Sequence, residues 1–421
     1  MFSFKKIIFF IFFILIVSIS AQHKGKRGKI PTLSPVSIET HIVPSDTIFT
    51  CFISYKVPYR NLMFIKENGT FYSAITLTTD ISKLDNHVDR VIKKSSTVVH
   101  DYELTNSNKI FLQDVTSVKL SQGTYTFTSV VSIENTDIEV KLKPIEVIVD
   151  SIRLSKPFTV FKEKIPFNNK LAYILTNDAN SIPYSMIEYD LLIPVFDKSI
   201  QSIELEVEQN GKSKIRQKLI EYEDMNFSIE AYKKQILINQ NEKYPEVKLF
   251  KYPSINKNLI EGESKIKITM GERSREYNIP VSWISKPRSL RNPETAIEML
   301  QIIDKNKEVD SLLSFPEEDY YDVLFDYWSK LDNDTSTAFN EVFELFYSRV
   351  DYANNNFKSL NGDIGALSDR GKTYVKFGEP DSIERTYNEQ YNIIEIWEYK
   401  SLKKKIIFSD ETGTGNFIRV K

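Results

Sequence analysis

Ser285-Lys286-Pro287-Arg288-Ser289-Leu290-Arg291-Asn292-Pro293 divides the sequence into two kinds of chain. On its N-terminal side apolar residues recur at every second position. On its C-terminal side they recur at intervals of three and four. The first period is that of a half-buried strand and the second that of an amphipathic helix. The stretch itself is polar and marked by proline, so it reads as a linker leading into a helix. Asn292 is a capping type, and Pro293 suits the first helical position, where a missing N–H costs nothing.

Upstream of this stretch, Phe49, Cys51, Ile53, Tyr55 and Val57 alternate with Thr50, Phe52, Ser54 and Lys56. Tyr125, Phe127, Val131 and Ile133 do the same, as do Ile138, Val140 and Leu142. Asn68-Gly69 separates 62–65 from 71–77 and is a strong hairpin signal. Many short strands with turns between them predict a β-sandwich over residues 35–150. Over 151–285 the pattern is weaker. Ile203, Leu205 and Val207, then Asn210-Gly211, then Ile266, Ile268 and Met270 carry it. Pro166, Asn168, Asn169, Asn177, Asn180 and Pro183 suggest long loops. A second, less regular β-sandwich is expected there.

Downstream, residues 286–314 read as linker and first helix, and 315–421 as an α+β unit. Ser314-Phe315-Pro316-Glu317 has the form of a capping box. Tyr320, Leu324, Tyr327, Trp328 and Leu331 share one helical stripe. Phe339, Phe343, Phe346, Val350, Ala353 and Phe357 form another. Tyr321 and Tyr347 fall off these stripes and are expected to be more exposed. From Thr373 the strand pattern returns, at 373–377, 393–399, 406–408 and 417–420. The chain is therefore read as multidomain: two N-terminal all-β sandwich-like domains, then an α+β domain with helices first and a small antiparallel sheet last.

The first residues read as an address. Lys5 and Lys6 precede the apolar run Ile7 to Val17, and Ser18-Ile19-Ser20-Ala21 supplies small residues for a peptidase. This is the layout of a signal peptide over 1–21, with cleavage expected after Ala21 or after Ser20. The run is too short for the ~20 residues that span a bilayer. A polar, basic leader follows over 22–34. The expectation is an exported protein, periplasmic or extracellular, with no transmembrane helix after cleavage.

Composition narrows the chemistry. In 421 residues, 55 Lys and Arg face 57 Asp and Glu, so the net charge of −2 offers no basic excess for nucleic acid. The single cysteine, Cys51, excludes a disulfide framework and reads as a buried small hydrophobe. The four histidines, His23, His41, His87 and His100, all precede residue 101 and lack metal-ligand spacing. A Ser-His-Asp triad or a histidine zinc site is thus excluded from the C-terminal region. No nucleotide-binding glycine pattern occurs. Neither a cofactor nor a metal is expected.

Several blocks near the C-terminus occur in a recognisable order. Tyr327-Trp328 ends one helix. Asn340-Glu341 and Arg349-Val350-Asp351-Tyr352-Ala353-Asn354 lie on the next. Gly365-Ala366-Leu367-Ser368-Asp369-Arg370-Gly371 leads into Tyr374-Val375-Lys376-Phe377-Gly378-Glu379-Pro380-Asp381. Glu395-Ile396-Trp397-Glu398-Tyr399, Phe408-Ser409-Asp410 and Gly413-Thr414-Gly415 follow. Over roughly 315–421 the chain resembles the GWxTD domain of exported bacterial proteins. Two positions depart from that motif: Ala366 stands for its tryptophan and Ser368 for its threonine. The resemblance implies an envelope location and β-rich N-terminal regions, and no particular reaction.

The motif residues singled out are Gly365, Ser368, Asp369, Arg370, Gly371, Tyr374, Gly378, Pro380, Asp381 and Trp397. Gly365 and Gly371 bracket a tight turn. Ser368 and Asp369 can accept backbone N–H groups. Arg370 can clamp a carboxylate, with Glu341, Glu344 and Asp381 as candidate partners. The expectation is that these residues tie helix to sheet. The protein then reads as a non-catalytic envelope or secreted protein whose modules bind or scaffold a protein or glycan partner. The alternative is a glycan hydrolase built on carboxylates, with Glu341, Asp369 and Asp381 as the candidates.

Overall fold

The strand Ile48–Pro58 is the middle of a three-stranded antiparallel sheet, between Ser37–Ser45 and Phe111–Leu120. The computed structural model describes residues 36–45, 48–150, 154–304, 306–360 and 362–420. The expected signal peptide and leader lie outside these described residues. Facing the three-stranded sheet is a second one of six strands: Ile65–Glu67, Thr70–Lys83, Asn86–Val99, Gly123–Ile133, Glu139–Lys141 and Ile145–Val149. Asn68 and Gly69 turn the first hairpin with φ of 46° and 83°, as their residue types require. One helical turn, α1 (Tyr102–Thr105), is capped by the Asp101 carboxylate. The two sheets close on one apolar cluster that includes Cys51, Ile53, Tyr55, Ile75, Leu77, Phe127 and Val131. Burial pushes the Cys51 thiol up to about 12.

The alternation in 49–57 predicts one wet face, yet Thr50, Phe52, Ser54 and Lys56 are buried as well. A second unit covers them. Val43 and Phe52 join a cluster with Phe158, Val160, Phe227 and Leu249. Lys56 Nζ lies 2.5 Å from Asp178 Oδ1 and donates to the Thr176 carbonyl at 3.0 Å. The Asn177 amide donates to the Tyr55 carbonyl, and the Asn180 N–H to Glu39. A buried ion pair costs desolvation, so its main effect here is to fix how the two units meet.

The second unit is not a simple sandwich. Phe158–Phe167, Lys170–Leu175, Gln235–Gln240, Tyr222–Tyr232, Glu246–Tyr252 and Tyr189–Val195 close, in that order, into a barrel. Closure leaves no sheet edge to manage. Asn168 and Asn169, read as part of a long loop, make a tight hairpin turn with φ of 47° and 63°. Beside the barrel lies a four-stranded sheet ordered Lys212–Leu219, Ile203–Gln209, Lys265–Met270, Arg273–Asn278. Asn210-Gly211 turns its first hairpin as expected.

Five helices follow, α2 (Pro293–Glu298), α3 (Asn306–Leu313), α4 (Tyr320–Ser329), α5 (Glu341–Asn356) and α6 (Asp369–Phe377), packed on one another, with α6 also against the last strand of the chain. Asn292 caps α2 and Asn340 caps α5 through their side-chain oxygens. All six residues of the 339–357 stripe are buried. The other stripe is buried at Tyr320, Leu324 and Trp328, while Leu331 lies beyond the end of α4 and is exposed. Tyr347, expected to be more exposed, is fully buried and donates to the Ala296 carbonyl at 2.7 Å. The Ser314 capping box does not form. Its serine follows α3, its hydroxyl bonds the Ser311 carbonyl, and Pro316 opens a separate 3-10 turn.

A small antiparallel sheet ends the chain, ordered Ser382–Tyr387, Ile393–Tyr399, Lys404–Asp410, Ile418–Arg419. Residues 373–377, expected as its first strand, belong instead to α6. One apolar cluster runs without a break from Leu205 and Ile268 through Trp283 to Trp328, Tyr347 and Trp397. Trp283 packs on Tyr184, Phe339 and Phe343 with ring centroids 5.5–5.7 Å apart. The 285–293 stretch is likewise docked: Leu290 is buried, and Asp351 accepts the backbone N–H groups of Arg288 and Ser289.

Candidate functional site

Gly365 and Gly371 are demanded by close approach. A Cβ on Gly365 would stand 2.3 Å from the Ala353 carbonyl oxygen, and one on Gly371 1.9 Å from that of Gly365. The short 3-10 turn Gly365–Leu367 is thereby pressed between α5 and α6. Ser368 caps α6: its Oγ accepts the Gly371 N–H at 3.0 Å and donates to the Gly365 carbonyl at 2.7 Å. A capped start with a glycine at the crossing outweighs the strand character of Thr373, Tyr374 and Val375.

Arg370 leaves the first turn of α6 and crosses to the terminal sheet. Its Nη1 lies 3.3 and 3.2 Å from the two carboxylate oxygens of Glu395, and Nη2 donates to the Gly415 carbonyl at 3.1 Å. The guanidinium lies 3.9 Å from the Phe417 ring centroid and 5.3 Å from that of Phe357. Both residues of the pair are buried. Glu395 also accepts from Arg385 and from Trp397 Nε1 at 3.2 Å. Burial works to raise the Glu395 pKa, but the Arg385 hydrogen bond and the Arg370 charge outweigh it and hold the carboxyl below the usual glutamate range. Burial lowers the Arg370 value, against the opposing pull of Glu395. An arginine starts so high that both groups remain charged at neutral pH. The partner of Arg370 is thus Glu395, and not Glu341, Glu344 or Asp381.

Residues 273–418 match the family model of the GWxTD domain. The chain carries a GWxTD domain. No curated protein matches the chain. The GWxTD match starts at Arg273, well before residue 315, and so takes in Trp283 and the 285–293 stretch that packs with the helices. At the position of the motif tryptophan, Ala366 is fully buried and its N–H donates to Asn354 Oδ1 at 2.9 Å.

The other GWxTD residues serve neighbouring contacts. Asp369 accepts the Arg419 N–H at 2.8 Å, joining the start of α6 to the last strand. Tyr374 stacks on Tyr352 with centroids 4.3 Å apart. Gly378 ends α6 at φ 80°, its N–H bonded to the Tyr374 carbonyl, and Tyr399 donates to its carbonyl. Pro380 follows, half-buried. Asp381 accepts the Lys400 N–H at 2.7 Å. Trp397 is buried between Phe357 and Phe408.

The three carboxylates of the hydrolase alternative are not assembled into one group by these contacts. Asp369 starts α6 and Asp381 lies beyond its end; the nine residues of α6 alone span roughly 13 Å at 1.5 Å each. Glu341 is exposed in the first turn of α5. Among the described residues, no group of three or more His, Cys, Asp or Glu is placed to hold a metal, and no helix is long and apolar enough to cross a membrane.

Two clefts lie elsewhere. One, of about 840 Å³, has Ile42, Val147, Lys156 and Arg275 in its wall. The other, of about 980 Å³, has Arg60, Trp283, Arg288 and Arg291. Residues 365–371 line neither. Sequence reasoning missed Glu395 as the partner of Arg370, and it missed Arg385 and both clefts. The spacing of Glu395 to Trp397 on one strand face was the available signal for the first. Nothing local links Arg60 to Arg288.

Proposed function

We propose that this is a non-catalytic exported protein of the cell envelope, whose β-units bind or scaffold a protein or glycan partner and whose GWxTD domain braces them. The observation that carries this reading is the internal use of the motif. Arg370, Ser368 and Asp369 spend their hydrogen bonds on Glu395, Gly365, Gly371, Gly415 and Arg419. Arg370 is buried, Ser368 and Asp369 are half-buried, and residues so engaged are poorly suited to bind and release substrate. The continuous core behind Trp283 supports a rigid support for the β-units.

Cell fractionation tests it, with N-terminal sequencing of the recovered protein. The expected result is an envelope fraction whose first residue is Gln22 or Ala21, with no soluble fragments released from envelope polysaccharide. Fragment release that is lost in Asp369→Asn or Asp381→Asn would replace this reading with the hydrolase.

A further inference from the structure

The 980 Å³ cleft opens where three parts of the chain meet: the turn after the strand Ile48–Pro58, the 285–291 stretch, and the α5 face bearing Ser348, Asp351 and Asn355. Its three carboxylates are already engaged. Asp178 pairs with Lys56 at 2.5 Å. Glu261 pairs with Lys286 at 2.7 Å and accepts the Tyr321 hydroxyl at 2.8 Å. Asp351 accepts two backbone N–H groups, at 2.5 and 2.9 Å. Four cations in the wall are left over: Arg60, Lys109, Arg288 and Arg291. Among the described residues, their side chains have no hydrogen bond or ion pair.

Asp351 is the one carboxylate of the wall that pairs with no cation among the described residues, so four positive charges from three segments distant in sequence face a single negative one, and this excess, which opposes folding, calls for an anionic ligand. Burial, and then the charges of Arg288 and Arg291, push the Arg60 guanidinium below its ordinary value. The net charge of the whole chain is −2, so the cleft runs against the protein's overall sign. We propose that this cleft binds a phosphate-bearing ligand, with the phosphate seated between Arg60, Arg288 and Arg291. A carboxylate offers two oxygens and one charge, enough for one guanidinium fork. A phosphate group offers three oxygens and up to two charges, matched to three forks. The volume exceeds that of a phosphate alone and falls within the range of small-molecule sites. The side chains of Asn108 and Asn355, also in the wall, suit a hydroxylated body.

Titration calorimetry on the intact protein tests this, with inorganic pyrophosphate, glucose 1-phosphate and vesicles of phosphatidylglycerol as probes. Citrate serves as the carboxylate control. The expected result is one site per chain for at least one phosphate probe, and the strongest probe identifies the source as free, sugar-borne or lipid-borne phosphate. Arg60→Gln and Arg291→Gln should each weaken it about tenfold, the loss of one charged hydrogen bond. Arg216→Gln, on an exposed strand far from the cleft in sequence, should leave it unchanged. Both cleft variants relieve repulsion, so their unfolding temperatures should equal or exceed the parent's. No binding by any phosphate probe, equal binding by citrate, equal weakening by Arg216→Gln, or loss of stability in both cleft variants would each overturn the proposal.

Discussion

Arg370 Nη1 meets both carboxylate oxygens of Glu395, at 3.3 and 3.2 Å, across the boundary between α6 and the terminal sheet. The pair is buried, and each member has further partners: the Gly415 carbonyl for Arg370, and Arg385 and Trp397 for Glu395. Good geometry and full satisfaction are what make a buried ion pair tolerable. Removing one member leaves the other charged and stranded.

Acid should loosen this brace. The Glu395 carboxyl is held below the usual glutamate range in the folded protein, so its stabilisation is complete above that range and is lost as pH falls through the lowered folded value. Urea unfolding followed from neutral to acid pH should therefore show a steeper loss in the parent than in Glu395→Gln, which starts less stable. Parallel pH profiles would remove the glutamate from the account.

Gly371→Ala should be severe. Its Cβ would meet backbone, 1.9 Å from the Gly365 carbonyl oxygen and 2.8 Å from Ala366 Cα, and backbone cannot swing aside. A loss of about 3 kcal/mol is expected, the upper range for overpacking. Gly413→Ala is the comparison: it has φ 66° but nothing within 4 Å, so only the left-handed penalty of about 1 kcal/mol applies. Denaturant titration of the two variants gives the ranking.

Residues 286–421 should not fold alone. Trp283, buried against Phe339 and Phe343, and Tyr184, whose hydroxyl donates to the Ala338 carbonyl at 2.7 Å, would both be missing. Near-UV circular dichroism of the fragment should lack the sharp aromatic bands of the intact protein. In the full chain, Trp283→Ala should cost about 3–5 kcal/mol. A fragment with native-like bands would show that the core divides at the 285–293 stretch.

The helical stripes were legible because their contacts are local: 339–357 repeats at 3.6 residues and is buried throughout. The strand at 393–399 was equally plain. Thr373–Phe377 misled because β-branched and aromatic residues alternate there, while the features that make it helical are the Ser368 cap and the contact of Gly371 with Gly365. The buried second face of 48–58 follows from a barrel more than a hundred residues away, which one strand's pattern does not encode. Barrel closure is hidden for the same reason. At the motif, the capacity of Arg370 to clamp a carboxylate was readable from residue type, but which carboxylate was not, since the sheet register sets which one faces α6.

The central claim is that the GWxTD motif is architecture. Calorimetric unfolding of Arg370→Ala tests it most directly. The account predicts a folded but weakened protein, less stable by about 3 kcal/mol, the cost of stranding a buried charge. Arg370→Lys should recover only part, because an ammonium cannot reach Glu395 and the Gly415 carbonyl with a planar fork. An Arg370→Ala protein that unfolds at the parent's temperature would contradict the claim.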